Sequence, residues 1–308
     1  MEDVYDHFSS TVFAFVLAKE ADLMSLFETD ETDQYTFEPV TLHPFYAEIN
    51  RSLVRQALIS FTKRPSGDTL SIVDMACGTG VITRLIAEEL VRLRLRGRIL
   101  CVDPSAEALR LAQKSMQEVD VMADFIQGDA DDLSSIVQNA DAAFFCNAIH
   151  LVSDKLSAFR QMKAILAPGG IFSCNSAFFD GTNVGETQRF ARLWIRKAVG
   201  WLRKEQPEVM LSRETKTVAM QWLNPEEYST LLKDSGFKDI EITLEKTFIS
   251  LDALRDLGKY WLFIAGALPG IPLPLGADAL GISVYQAGEE LGLAGIDRMW
   301  LQMLARKE

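Results

Sequence analysis

Asp74-Met75-Ala76-Cys77-Gly78-Thr79-Gly80 decides how the rest of this chain reads. Before it lies the apolar run LSIVDM (70–75). After it, Ile82, Leu85, Ile86, Leu90 and Leu93 fall on one face at helical spacing, with Arg84, Glu88 and Arg92 turned outward. A strand, a tight glycine turn and an amphipathic helix is the opening of a parallel α/β layer. Gly97 is expected to close that helix as a C-terminal glycine.

Outward from this corner the alternation continues. RILCVD (98–103), VMADFIQ (121–127), DAAFFCN (141–147) and GIFSCNSAF (170–178) read as further strands with helical stretches between them, the pattern of a sheet covered on both faces. A helix from Ser153 towards Leu166 leads into Ala167-Pro168-Gly169-Gly170, a turn before the fifth strand. Beyond about residue 180 the alternation stops. A mainly helical insertion (180–222) carries Phe190, Leu193, Trp194, Ala198, Trp201 and Leu202. Asn224 and Pro225 supply a cap and a first-turn proline for a new helix. A sixth strand is expected over 238–248, a second insertion over about 249–292, and a last strand near 299–305. The expected organisation is an N-terminal helical cap (1–60), an α/β core (61–179), a helical lid (180–222) and a C-terminal part of the core (223–308).

Of 308 residues, 48% are hydrophobic and 24% charged, enough to bury a substantial core. The net charge of -12, from 43 acidic and 31 basic residues, would repel a polyanion, and no basic run interleaved with aromatics offsets it. Nucleic acid is therefore excluded as an expected partner. Cys77, Cys101, Cys146 and Cys174 lie far apart, without a C-x-x-C pair, and read as small hydrophobes in a reducing compartment. The start, MEDVYDHFSSTVFAFVLAKE, lacks the basic n-region of a signal peptide, which points to the cytoplasm. The uncharged run at 260–277 nearly has the length of a bilayer span, but Pro269, Pro272 and Pro274 with Gly266, Gly270 and Gly276 would break it. It reads as a buried or lid segment, with no transmembrane segment expected.

The chemistry lies at the strand ends. Small residues in the 74–80 turn let the backbone approach a ligand, and the helix N-terminus behind it directs N–H groups there. Ligands of open sheets bind at these carboxyl ends. Asp103 ends the second strand, where a carboxylate accepts from the two hydroxyls of a ribose. The third strand ends in Gly128-Asp129-Ala130, where Asp129 can accept from an adenine amine. Together these stations describe a nucleoside site.

In these residues the chain resembles the class I S-adenosylmethionine-dependent methyltransferases, in the small-molecule branch similar to ubiquinone and menaquinone C-methylases. The resemblance covers about residues 70–178. It implies a doubly wound sheet of seven strands, mostly parallel with the last antiparallel, and S-adenosylmethionine as cofactor. It further implies backbone contacts from Ala76, Gly78 and Gly80 to the methionyl part, with Cys77 in the same loop. Asp103, followed by Pro104, would hold the ribose, Asp129 the adenine amine with Ala130 beside the ring, and Asn147 would border the methionyl end and the acceptor. Ala76 departs from the family, which more often has glycine there.

Several residues carry two readings. Asp74 either fixes the glycine loop or caps the following turn. Asp131 and Asp132 either suggest a metal cluster or form the acidic first turn of a solvated helix, and no metal is expected. His150 either removes a proton during methylation or packs beside the cofactor. His43 and Tyr46 either close the site or pack. Trp194 and Trp261, with their apolar neighbours, either line an acceptor pocket or pack on the sheet or on a second copy in a homodimer.

The expected reaction is in-line methyl transfer to a small, largely apolar metabolite: an isoprenoid, polyketide, fatty-acyl or aromatic compound, as in secondary metabolism. No N-P-P-Y follows the fourth strand, which disfavours amine methylation of bases or protein amides. One rival is an NAD(P)-dependent oxidoreductase, although Thr83 replaces the third fingerprint glycine and no Tyr-x-x-x-Lys pair occurs. The other is a cofactor-binding protein on this scaffold that transfers no methyl group.

Overall fold

The run at 70–75 forms β1 (Thr69–Met75), and the amphipathic stretch behind the glycine turn forms α3 (Val81–Leu93). In this computed structural model the described residues are 34–64, 67–128, 137–185, 187–209 and 222–308. Ahead of β1 stand α1 (Glu38–Thr41) and α2 (Pro44–Ile59); β2 (Arg96–Asp103), α4 (Ala106–Ser115), β3 (Met122–Gln127), β4 (Ala140–Cys146), α5 (Lys155–Ile165) and β5 (Leu166–Ser176) follow. Next come α6 (Thr187–Glu205), α7 (Pro225–Asp234), β6 (Lys238–Ser250), α8 (Leu251–Leu257), α9 (Trp261–Ala267), α10 (Leu273–Leu291) and β7 (Gly295–Arg306).

The seven strands form one sheet in the order β3-β2-β1-β4-β5-β7-β6. β1 pairs in parallel with β2 and β4, β2 with β3, and β4 with β5, while β7 runs antiparallel to β5. This is the doubly wound, mostly parallel sheet expected. The chain leaves β1 in both directions across the sheet, so the crevice between the tips of β1 and β4 is the topological switch point.

Burial explains the local choices. Ile82, Leu85, Ile86 and Leu90 of α3 are buried, together worth about 6–12 kcal/mol of gross apolar burial at the usual 1.5–3 per side chain. The expected closure of α3 by Gly97 is corrected: the helix ends at Arg94, in the left-handed region at φ 56°, with Leu95 N–H on the Leu90 carbonyl at 2.9 Å. Gly97 instead pairs with Leu70 inside β2, and a Cβ there would lie 2.7 Å from Leu90 Cδ1. Asn224 and Glu227 cap α7 reciprocally, with Pro225 in the first turn. β7 starts at Gly295, before the expected 299, because buried Arg298 interrupts the apolar pattern that would have announced it.

The chain divides into two compact units. The sheet unit comprises residues Tyr46–Phe179, Leu223–Glu245 and Trp300–Glu308. The helical unit comprises Met1–Phe45, Asp180–Trp222 and Lys246–Met299. Inside the helical unit, Trp194 stacks on Phe263 with ring centres 5.1 Å apart and donates its indole N–H to the Leu280 carbonyl at 2.8 Å. The 260–277 run is broken between α9 and α10, and among the described residues no helix is long and apolar enough to cross a membrane.

Candidate cofactor site

The glycine corner is held by its own backbone. Cys77 N–H bonds the Val102 carbonyl at 3.1 Å and Gly80 N–H bonds the Cys77 carbonyl at 3.0 Å. Ala76, Gly78 and Gly80 all have positive φ, at 54°, 54° and 86°. Gly80 has no room for a side chain, because a Cβ would lie 2.9 Å from both Cα and Cβ of Ala112 in α4. At Gly78 the opposite holds: nothing lies within 4 Å of where a Cβ would stand. That cleared side of the backbone is a surface a ligand can approach closely.

Asp103 binds the corner to β2. Oδ2 accepts the Gly78 N–H at 2.7 Å and Oδ1 accepts the Ser105 N–H at 2.9 Å. Each oxygen keeps a second lone pair, so the carboxylate can still accept from two vicinal hydroxyls. Burial raises its pKa, and the two N–H donors oppose that shift. Asp74 lies beneath the corner, 1% exposed, accepting the Thr83 hydroxyl at 2.5 Å. Burial pushes its pKa up to about 7, the Asp103 charge adds to the shift, and Thr83 resists it. Its side chain thus ties β1 to α3. Pro104 follows, its carbonyl accepting from Gln127 Nε2 at 2.9 Å. Asp129, Ala130, Asp131 and Asp132 lie outside the described residues.

The tips of β4 and β5 carry a different construction. Asn147, at φ 55°, donates from Nδ2 to Tyr46 Oη at 3.0 Å and to Asn50 Oδ1 at 2.9 Å, and its Oδ1 accepts the Trp300 indole N–H at 3.1 Å. Its backbone N–H is shared between the Asn175 carbonyl at 3.1 Å and Asn175 Oδ1 at 2.9 Å. Asn175 Nδ2 donates to Asn50 Oδ1 at 2.8 Å, and Asn50 Nδ2 to the Tyr46 carbonyl at 2.7 Å. Asn50 and Asn175 have no exposed surface. Both N–H donors of the Asn147 carboxamide are thus used inside the protein, and its oxygen accepts one hydrogen bond there.

His150 follows in a one-turn 3₁₀ helix (Ile149–Leu151). It is buried, with Nδ1 3.2 Å from Ser176 Oγ and its ring 4.4 Å from that of Phe178.

The structure thus brings Asp74, Ala76, Cys77, Gly78, Gly80, Asp103 and Pro104 together at the β1 and β2 tips, and Tyr46 with Asn147 at the β4 tip. The other expected acceptor residues belong to the helical unit. His43 Nε2 lies 2.9 Å from Asp256, which also accepts from Lys259 at 2.9 Å. Trp194 is fully buried and Trp261 is 6% exposed. Asn50, Asn175, Ser176 and Trp300 were not expected. A carboxamide within an apolar strand, as at Asn175, or among apolar helix positions, as at Asn50, is the sequence signal for such a network. Among the described residues no three His, Cys, Asp or Glu side chains converge as a metal-binding group.

S-adenosylmethionine fits this site. The cleared face of Gly78 admits the cofactor close to the main chain, and the open lone pairs of Asp103 suit the ribose diol.

Residues 72–170 match the methyltransferase domain family. The chain is 28% identical over 144 residues to the 2-phytyl-1,4-naphtoquinone methyltransferase of Thermosynechococcus vestitus, covering 44% of this chain and 60% of that protein. It is 23% identical over 186 residues to the demethylmenaquinone methyltransferase of Thermotoga maritima, covering 58% of this chain and 74% of that one. The fold is shared with a phosphoethanolamine N-methyltransferase of Haemonchus contortus solved with S-adenosylhomocysteine, at a TM-score of 0.54 and 16% identity, over 95% of this chain and 60% of that one. Over residues 72–170 the chain is a class I S-adenosylmethionine-dependent methyltransferase domain that resembles the ubiquinone and menaquinone methylases, and S-adenosylmethionine is the cofactor of that domain.

Proposed function

We propose that the chain transfers the methyl group of S-adenosylmethionine to a small, largely apolar acceptor of the isoprenoid, polyketide, fatty-acyl or aromatic kind. The observation that carries this is the glycine corner with Asp103: main-chain N–H groups, a face cleared at Gly78 and a carboxylate with lone pairs to spare. Relatives named for quinones support an apolar ring-bearing acceptor.

The bound cofactor supplies a methyl group already activated by the sulfonium charge. What remains for the protein is alignment and exclusion of water. Asp103 and the 76–80 main chain orient the adenosyl and methionyl parts, with Asp129 and Ala130 proposed at the adenine. The left-handed main chain at Asn147, fixed by Asn50 and Asn175, sets the floor on the acceptor side. His150, on the next turn, is the proposed proton acceptor.

A labelled-methyl assay across quinols, phenols, polyketide-like enols and fatty-acyl compounds tests this reading. Radiolabel is expected in an organic-soluble product. Label recovered only in basic hydrophilic products would overturn the apolar acceptor. S-adenosylhomocysteine binding without turnover of any acceptor would favour a non-methylating role, and preferential NADH binding an oxidoreductase.

A further inference from the structure

α6 (Thr187–Glu205) turns Phe190, Trp194, Ala198 and Leu202 into the helical unit. Its outer side is basic. In 19 residues it carries Arg189, Arg192, Arg196, Lys197, Arg203 and Lys204 against one acid, Glu205, within a chain of net charge -12. Arg189, Arg192, Arg196 and Arg203 are exposed. At about 100° and 1.5 Å per residue these four fall within an arc of about 60° along about 21 Å of helix. A face that needs only to be solvated mixes both signs of charge.

Little of this charge is neutralised by the helical unit. Glu290 of α10 pairs with Lys197 at 2.6 Å and reaches Arg196 at 3.8 Å, and Lys204 pairs with Glu205 at 3.0 Å. Arg192 and Arg203 form no ion pair among the described residues. Gly200 lies on the same side, where a Cβ would meet nothing within 4 Å. Glycine inside a helix is unfavourable relative to alanine, and packing does not demand it here. It lets a flat surface approach the main chain between Arg196 and Arg203.

We infer that this arginine ridge docks the protein on the phosphates of an anionic phospholipid bilayer. Arginine meets a phosphate with two parallel N–H donors, where lysine offers a point charge. What the ridge lacks decides the occupant. A specific protein partner is held by apolar or aromatic anchors at the centre of its footprint, and α6 contributes none of the exposed large hydrophobic side chains among the described residues. A fluid array of phosphates asks only for charge. The apolar face of α6 is committed to the core, so the contact is peripheral and the helix does not insert. The net charge of -12 opposes approach, but beyond about 8 Å it is screened at physiological ionic strength, and the face that touches decides. The inference goes beyond the proposed function and accords with it, since an apolar acceptor partitions into a bilayer.

Cosedimentation of the full chain with vesicles tests it, using equal parts of phosphatidylcholine and phosphatidylserine beside phosphatidylcholine alone. Wild type is expected to bind only the mixed vesicles and to leave them in high sodium chloride. Combining Arg192→Gln with Arg203→Gln should weaken binding roughly twentyfold or more, at about fivefold per cation near such a surface. Affinity for S-adenosylhomocysteine should stay within about twofold, which also shows that the variant is folded. Equal binding by wild type and variant, equal binding to both kinds of vesicle, or binding to neither overturns the inference. So does release by inorganic phosphate where sodium chloride of equal ionic strength releases nothing, which would mark a site for the free anion. Self-association in sedimentation equilibrium without lipid, abolished in the variant, would assign the ridge to a second copy of this acidic chain and overturn it as well.

Discussion

The tips of β1 and β2 and the tips of β4 and β5 adjoin one another in one sheet, yet they handle polar groups in opposite ways. At the first pair, strained backbone and a half-used carboxylate leave hydrogen-bonding capacity unspent: Asp103 accepts one N–H per oxygen, and Gly78 faces cleared space. At the second pair the Asn147 side chain spends both of its donors on Tyr46 and Asn50 and accepts from Trp300. The contrast separates two jobs. The first region offers groups to a ligand, and the second fixes the position of a backbone segment that the ligand meets. Breaking the first should therefore act on affinity, and breaking the second on stability and geometry.

The largest stability effect is expected from Asn50→Leu, which keeps the shape but strips the shared acceptor from the Asn147 and Asn175 amides. Buried donors left unpaired cost roughly 1–3 kcal/mol each. Urea unfolding should show a loss of about 2–6 kcal/mol, and a loss below about 1 would mean that the network is incidental.

Asp74 sharpens the comparison through pH. Its pKa is about 7 in the fold against 3.8 as the ordinary value, so between these pH values the folded chain keeps a proton that the unfolded chain has released. Stability from this group is fully present below about pH 4 and declines as pH rises towards 7, by about 1.4 kcal/mol per unit at most. Asp74→Asn should remove that slope, worth on the order of a few kcal/mol at pH 8. Unfolding curves collected from pH 4 to 8 check it.

Gly80→Ala would place a methyl against the backbone of α4 at a left-handed position, and about 2–3 kcal/mol of stability should be lost. The smallest effect belongs to Ala76→Gly, which relieves a left-handed alanine. About 1 kcal/mol or less should be gained in thermal unfolding, with S-adenosylhomocysteine affinity unchanged.

Much of the offering region was legible in the sequence, because its parts are local. A strand, seven corner residues and a strand-end acid announce themselves by type and order. In the fixing region the sequence pointed to Asn147 and Tyr46 but not to the network that joins them to Asn50, Asn175 and Trp300, because these residues meet only after the sheet is assembled, with hydrogen-bonded partners up to 153 positions apart. Glycine misled in one place: Gly97 resembles a helix cap by position, but it serves the packing of Leu90 against β2. A buried arginine hid the start of β7 for a related reason, since burial of a charge has no signature in hydropathy.

Calorimetric titration of the wild-type chain and its Asp103→Ala variant with S-adenosylhomocysteine asks whether the glycine corner and Asp103 hold the cofactor. Saturable one-to-one binding by wild type and a loss of about a hundredfold or more in the variant are expected, from two charge-assisted hydrogen bonds at roughly 1.5–3 kcal/mol each. No measurable binding by the wild-type chain, or equal binding by both proteins, would mean that Asp103 and the corner do not form the cofactor site.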